Sequence, residues 1–186
     1  MKVKTLFLIC FLSITCLLNA ADKPVIQIHT DNSSLIFRVA DNGRLYQSYL
    51  GKKLNHETDI SHLPQGTEAY ITHGMEDYFE PAIHILHNDG NPSLLLKYVS
   101  HETKVVSQGV NETIITLGDD KYPVTVKLHY VTYPAEDIIK TYTEISHKEK
   151  KPVVLHQYAS SMLHLNRAKY YLTEFSGDWA HEANIS

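Results

Sequence analysis

Apolar and polar residues alternate through most of this chain, and the alternation is sharpest in its last third. Residues 123–133 read PVTVKLHYVTY, 137–145 read DIIKTYTEI, 152–165 read PVVLHQYASSMLHL and 168–175 read AKYYLTEF. A period of two sends successive side chains to opposite faces, which predicts long antiparallel strands with one dry and one wet face. In the clearest run Val124, Val126, Leu128 and Tyr130 share one face, and Thr125, Lys127 and His129 share the other.

Earlier strands are predicted at Val25–His29, Leu35–Val39 and Leu45–Leu50, the last two joined by the turn signal Asp41-Asn42-Gly43. Residues Gly51–Gly66 are polar without a clear period and read as a surface loop. Short strands follow at Glu68–Thr72 and Ala82–Leu86, the latter stopped by the turn cluster His87-Asn88-Asp89-Gly90-Asn91-Pro92. Leu94–His101, Lys104–Ser107 and Glu112–Leu117 complete the set. About twelve strands with almost no helix exceed an immunoglobulin-type sandwich. The expected fold is all-β, a large two-sheet antiparallel β-sandwich.

The first twenty residues change the picture of what folds. Lys2 and Lys4 precede an apolar stretch from Leu6 to Leu18, and Leu18-Asn19-Ala20 offers a cleavage site. That pattern predicts a signal peptide over residues 1–20 and an exported protein, periplasmic or extracellular, from a bacterial envelope. A lipoprotein anchor at Cys16 is the rival, although Ser13-Ile14-Thr15 departs from the usual lipobox. The apolar run is too short for a membrane span of about 20 residues.

Both cysteines, Cys10 and Cys16, fall in the leader, so residues 21–186, read as one domain or one domain plus the stub of the next, must fold without disulfides or thiolate metal sites. Removing twenty of the 186 residues leaves 166, enough to bury roughly 70% of the unfolded surface. Loss of Lys2 and Lys4 moves the formal charge from −4 to −6, and no basic stripe offers a nucleic-acid partner a footing.

Five motifs in order are more specific than the fold class: FEPAIHILHNDGNPSL at 79–94, YPVTVKLHYVTY at 122–133, DIIKTYTEISH at 137–147, PVVLHQYASSMLHL at 152–165 and YYLTEFSGDWAHE at 170–182. Together they resemble the N-terminal β-supersandwich, galactose-mutarotase-like in fold, of glycoside hydrolase family 36 α-galactosidases, particularly exported Bacteroides-type enzymes. The resemblance implies a parent enzyme that hydrolyses terminal α-galactosides of oligosaccharides with retention, assembles as a homo-oligomer and needs no cofactor. It also implies that both catalytic aspartates lie in a (β/α)8 barrel absent from this chain, so that no catalytic residue is expected here. The loop before Pro81-Ala82 corresponds to one that approaches a neighbouring subunit's sugar pocket, and Asp77 aligns with its sugar-contacting aspartate. The usual Arg is missing, and Gly74 sits three residues before Asp77 rather than beside it. Trp179, after Gly177-Asp178, is expected at the packing surface with the barrel.

Other candidate chemistry has a plainer reading beside it. Asp77 and Glu80 form a possible carboxylate pair, or two solvated loop acids. Glu144 reads as a cross-strand partner for a lysine. The twelve histidines suggest a metal site only if two or three converge, and none is expected. His84 and His87 should point to opposite sides of a strand entering a turn, whereas an unbroken strand would put His156 and His164 on one face. Tyr98, Tyr130, Tyr142 and Tyr158 suit core or interface positions better than sugar stacking. Two rival functions remain open: a stand-alone carbohydrate-binding or adhesin-like sandwich, and a small mutarotase-like enzyme using a His/Glu pair.

Overall fold

A computed structural model describes residues 23–74, 79–165, 175–178 and 181–185. Twelve strands and one short helix are present among them. Strands β1 (Val25–His29), β2 (Ser33–Val39), β3 (Leu45–Lys52) and β4 (Thr67–Glu68) form one antiparallel sheet in that order. Strands β6 (Leu96–Ser107), β7 (Val110–Asp119), β8 (Val124–Tyr133) and β9 (Ile138–His147) form a second. Between them in sequence lies β5 (Ile83–Leu86), which pairs with β10 (Val154–Tyr158). A last pair joins β11 (Phe175–Asp178) to β12 (His181–Ile185).

The two four-stranded sheets bury their facing sides against each other. Ile26, Ile28, Leu35, Phe37 and Leu45 come from the first; Ile115, Leu117, Val124, Val126, Leu128 and Tyr130 come from the second. Phe37 and Tyr130 meet with ring centroids 5.1 Å apart. Each such side chain contributes roughly 1.5–3 kcal/mol by leaving water. The β8 alternation is as expected on the inner face, where all four apolar residues are buried.

Its outer face differs from expectation, because His129 and Val131 are buried there too. The β2–β3 turn forms as its sequence requires: Gly43 has φ +77° and donates to the Ala40 carbonyl, while the Asn42 side chain accepts from the Arg44 N–H. At Gly51–Gly66 the structure corrects the loop reading, since α1 (Glu57–Ser61) interrupts it. Arg38 donates to the Ile60 carbonyl and so anchors that helix to β2.

Candidate functional site

Among the described residues, histidine and carboxylate side chains come together at three places. The first lies beside the Pro81-Ala82 segment. The ring of His73 stacks on His84 at 3.7 Å between centroids, and His84 faces His156 at 4.8 Å. The approach depends on a bulge. In the β5–β10 register Leu155 faces Ile85 and Gln157 faces His84, so His156 is the extra residue. Bulges re-aim side chains in this way. Desolvation holds His84 below the ordinary histidine range, and the two neighbouring imidazoles add to the effect. Beside the stack, the Gln157 amide donates to Glu80 Oε1 at 2.8 Å and to the Pro81 carbonyl at 2.9 Å. Glu80 is thereby a tethered, exposed loop acid.

The second cluster covers the outer face of the β7–β8–β9 sheet. Glu112 accepts from Tyr142 OH at 2.5 Å, from His129 Nδ1 at 2.9 Å and from Lys104 Nζ at 2.9 Å. These donors, Tyr142 first, drive the Glu112 carboxyl down to about 2, and the same bond pushes the Tyr142 phenol up to about 12. Tyr142 also stacks on the His129 ring at 4.2 Å. The remaining nitrogen, His129 Nε2, is buried without a hydrogen bond, 3.6 Å from Glu144 Oε2. Glu144 reaches Lys127 Nζ at 3.7 Å, the cross-strand lysine partner read from the sequence.

A third cluster closes the turn after β5. His87 Nδ1 meets Glu149 Oε1 at 2.7 Å, His87 Nε2 meets the Ser93 carbonyl at 3.0 Å, and the ring stacks on Tyr122 at 3.5 Å. Burial alone would raise the Glu149 carboxyl, but hydrogen bonds from His87 and Asn88 outweigh it and hold the group below its usual range. In both buried His–Glu pairs the carboxylate is saturated with donors. Such a group is ionised near neutral pH and orients its donors.

These pairings do not name a family. A family model of the glycosyl hydrolase family 36 N-terminal domain matches residues 38–186. The chain belongs to glycosyl hydrolase family 36. Solved relatives agree in fold. The α-galactosidase from Lactobacillus brevis superposes with a TM-score of 0.75 at 20% identity, over 88% of this chain and 27% of that one. The galactosidase domain of the α-galactosidase–sucrose kinase AgaSK gives 0.75 at 22%, over 87% and 27%. A variant of the family 36 α-galactosidase AgaA from Geobacillus stearothermophilus, in complex with raffinose, gives 0.78 at 18%, over 88% and 27%. The chain therefore spans about a quarter of the length of these enzymes. No match to a curated protein was found.

Within the family 36 domain the sequence-predicted residues fare unevenly. Asp77 and Trp179 lie outside the described residues. His84 and His87 do enter different environments, one in the imidazole stack and one in the buried Glu149 pair. His156 and His164 do not share a strand, because β10 ends at Tyr158. His164 instead has its Nε2 against the Glu68 carbonyl at 2.7 Å. Of the four tyrosines, Tyr130 belongs to the core and Tyr98 is partly buried against that core, whereas Tyr142 and Tyr158 are exposed. Glu112 and Glu149 escaped the sequence reading. Only the register shows Glu112 facing Val131, two residue pairs from His129.

Proposed function

We propose that this chain serves as the N-terminal supersandwich of an exported α-galactosidase, a scaffold for a catalytic barrel and for the enzyme's oligomer interface. The family 36 match over residues 38–186 carries the reading. Raffinose and stachyose, bound in two AgaA structures, exemplify the oligosaccharides from which the enzyme removes terminal α-D-galactosyl residues.

The reaction on this reading retains configuration. One carboxylate attacks the anomeric carbon while a second protonates the leaving oxygen and then activates water, the two standing about 5–5.5 Å apart. A barrel of about 250 residues holds both. The donor-saturated state of Glu112 and Glu149 disfavours a mutarotase-like role for these two His–Glu pairs. Exposed apolar side chains on β9 and β10, namely Ile138, Tyr142, Val154, Leu155 and Tyr158, suit a docking scaffold. Asp77 reaches sugar bound by a neighbouring subunit, Trp179 packs between domains, and the leader over residues 1–20 sends the enzyme to the periplasm or beyond.

Galactose release from raffinose tests the proposal. The 186-residue chain should release none, and the same chain continued into a family 36 barrel should turn over. Glycosidase-level release by the short chain overturns the scaffold role; no release by the extended enzyme overturns the α-galactosidase reading.

A further inference from the structure

A cleft lies away from all three histidine clusters. It has a volume of about 630 Å³ and is lined by residues of β1, β2 and α1. That size falls within the roughly 300–1,000 Å³ of small-molecule sites.

Three observations define what fits there. First, Arg38 lines the cleft with a buried Nε–H that has no acceptor, its Nη2 being spent on the Ile60 carbonyl. An orphaned buried donor is costly and calls for an oxygen. Second, β1 is an edge strand. Val39 N–H bonds the Pro24 carbonyl and Thr30 N–H bonds the Ser33 carbonyl, so Ile26 and Ile28 turn their peptide groups toward β2. By the antiparallel alternation the peptide groups of Val25 and Gln27 face away from β2, at the sheet edge, and both residues line the cleft. The Gln27 side-chain oxygen already meets His29 Nε2 at 3.1 Å, leaving its amide hydrogens available. Third, the charges balance. Lys23 pairs with Asp41 at the rim, and Glu57 offsets Arg38 within the same lining.

A ligand for this surface needs acceptors for Arg38 and Gln27, donors for Glu57, no net charge, and an apolar side to lie on Val25, Val39 and Ile60. Hydroxyl groups on a pyranose ring combine these properties, since each both donates and accepts and the ring carries a C–H face. We infer that the β1–α1 cleft binds a neutral oligosaccharide. It rests on the α-galactosidase reading only for the choice of sugar. With no aromatic platform among the described residues of the cleft, affinity is expected in the millimolar range.

The test is titration of the full chain with stachyose, followed by amide-resolved NMR and calorimetry, with galacturonate as an anionic control. Saturable binding should shift the Val25, Gln27 and Val39 amides and weaken at least tenfold in Arg38→Met. Because that variant removes the anchor of α1, Glu57→Ala on the exposed helix face provides a second one, expected to weaken binding at least fivefold with the fold intact. No saturable binding, shifts confined to other surfaces, unchanged affinity in Glu57→Ala, or tighter binding of galacturonate than of stachyose each overturns the site. Galactose release by the barrel-extended enzyme is read separately, so failure of the α-galactosidase reading and failure of this cleft are distinguishable.

Discussion

Gln47 on β3 pairs both ends of its side-chain amide with the main chain of His164: Nε2 donates to the His164 carbonyl at 2.7 Å, and Oε1 accepts from the His164 N–H at 3.1 Å. Gln47 is completely buried, so the pair holds the segment after β10 against the first sheet where no ladder does so. Tyr70 OH assists by donating to the Ala159 carbonyl at 2.8 Å. Gln47→Leu fills a similar volume but leaves two peptide groups without partners. A loss of about 2–3 kcal/mol follows, read as a lower urea midpoint with little change in slope.

Glu112 makes the fold acid-sensitive over a defined window. Its folded carboxyl sits at about 2, against an ordinary glutamate value of 4.5. A group depressed in this way adds stability that is complete above about 4.5 and disappears as pH falls toward 2. Glu112→Gln should therefore lower stability near neutral pH and flatten the decline between pH 4.5 and 2. Denaturation curves at pH 7, 4 and 3 for both proteins check this; parallel declines would show that other carboxylates set the acid limb.

The buried pair of His87 with Glu149 fastens the β5 turn to the loop after β9. Both ring nitrogens face acceptors, the carboxylate and the Ser93 carbonyl, and the ring has Tyr122 against its face. Removing one member of a buried pair strands the other, at a cost of about 3–5 kcal/mol. Glu149→Ala is expected in that range, and the double variant Glu149→Ala with His87→Leu should cost less than the two single changes added together.

How much of this was legible follows residue by residue. Val25–His29 and the β8 run were plain because one face of each meets the other sheet, and burial enforces a period of two. The strands read separately at Leu94–His101 and Lys104–Ser107 are one strand, Leu96–Ser107. Most of it is exposed on both faces, so no alternation was required of it. Helix α1 was missed because five residues with one buried side chain, Ile60, carry no periodic signal. The expected strand Glu68–Thr72 is reduced to Thr67–Glu68 plus a bridge between Thr72 and Ile83. The run PVVLHQYASSMLHL stops being a strand after Tyr158, where Gln47 and Tyr70 take over its peptide groups. Pairings such as Glu112 with His129 or Gln47 with His164 depend on register and on contacts 17 and 117 residues apart, which local pattern does not encode.

Two glycines with the same backbone twist separate strain from crowding. Gly66 has φ +83° and lies against the Gln47 carbonyl, which an added Cβ would overlap. Gly90 also has φ +83° but has open space around it. Gly90→Ala should cost only the left-handed penalty of about 1–2 kcal/mol. Gly66→Ala must in addition displace β3 backbone next to the Gln47–His164 pair, so a loss of at least twice that is expected from thermal or urea unfolding. Equal losses would mean that the β3–β4 connection yields freely.

Acid should also act through the histidines, well before the carboxylates. Burial lowers His29, His84 and His164, with Lys53 adding to the effect at His29 and the flanking imidazoles at His84. A histidine lowered in the fold is neutral there while the unfolded chain takes up a proton near pH 6.5. Stability is then full above that pH and falls as pH drops through 6.5 toward the lower folded values. At the β5–β10 bulge the decline has a removable cause, because His156 contributes to the depression of His84. His156→Ala should raise the His84 titration midpoint in NMR and lessen the loss of stability between pH 7 and 5. An unchanged midpoint would leave burial and His73 as the dominant neighbours and show that the bulge does not set the protonation of the stack.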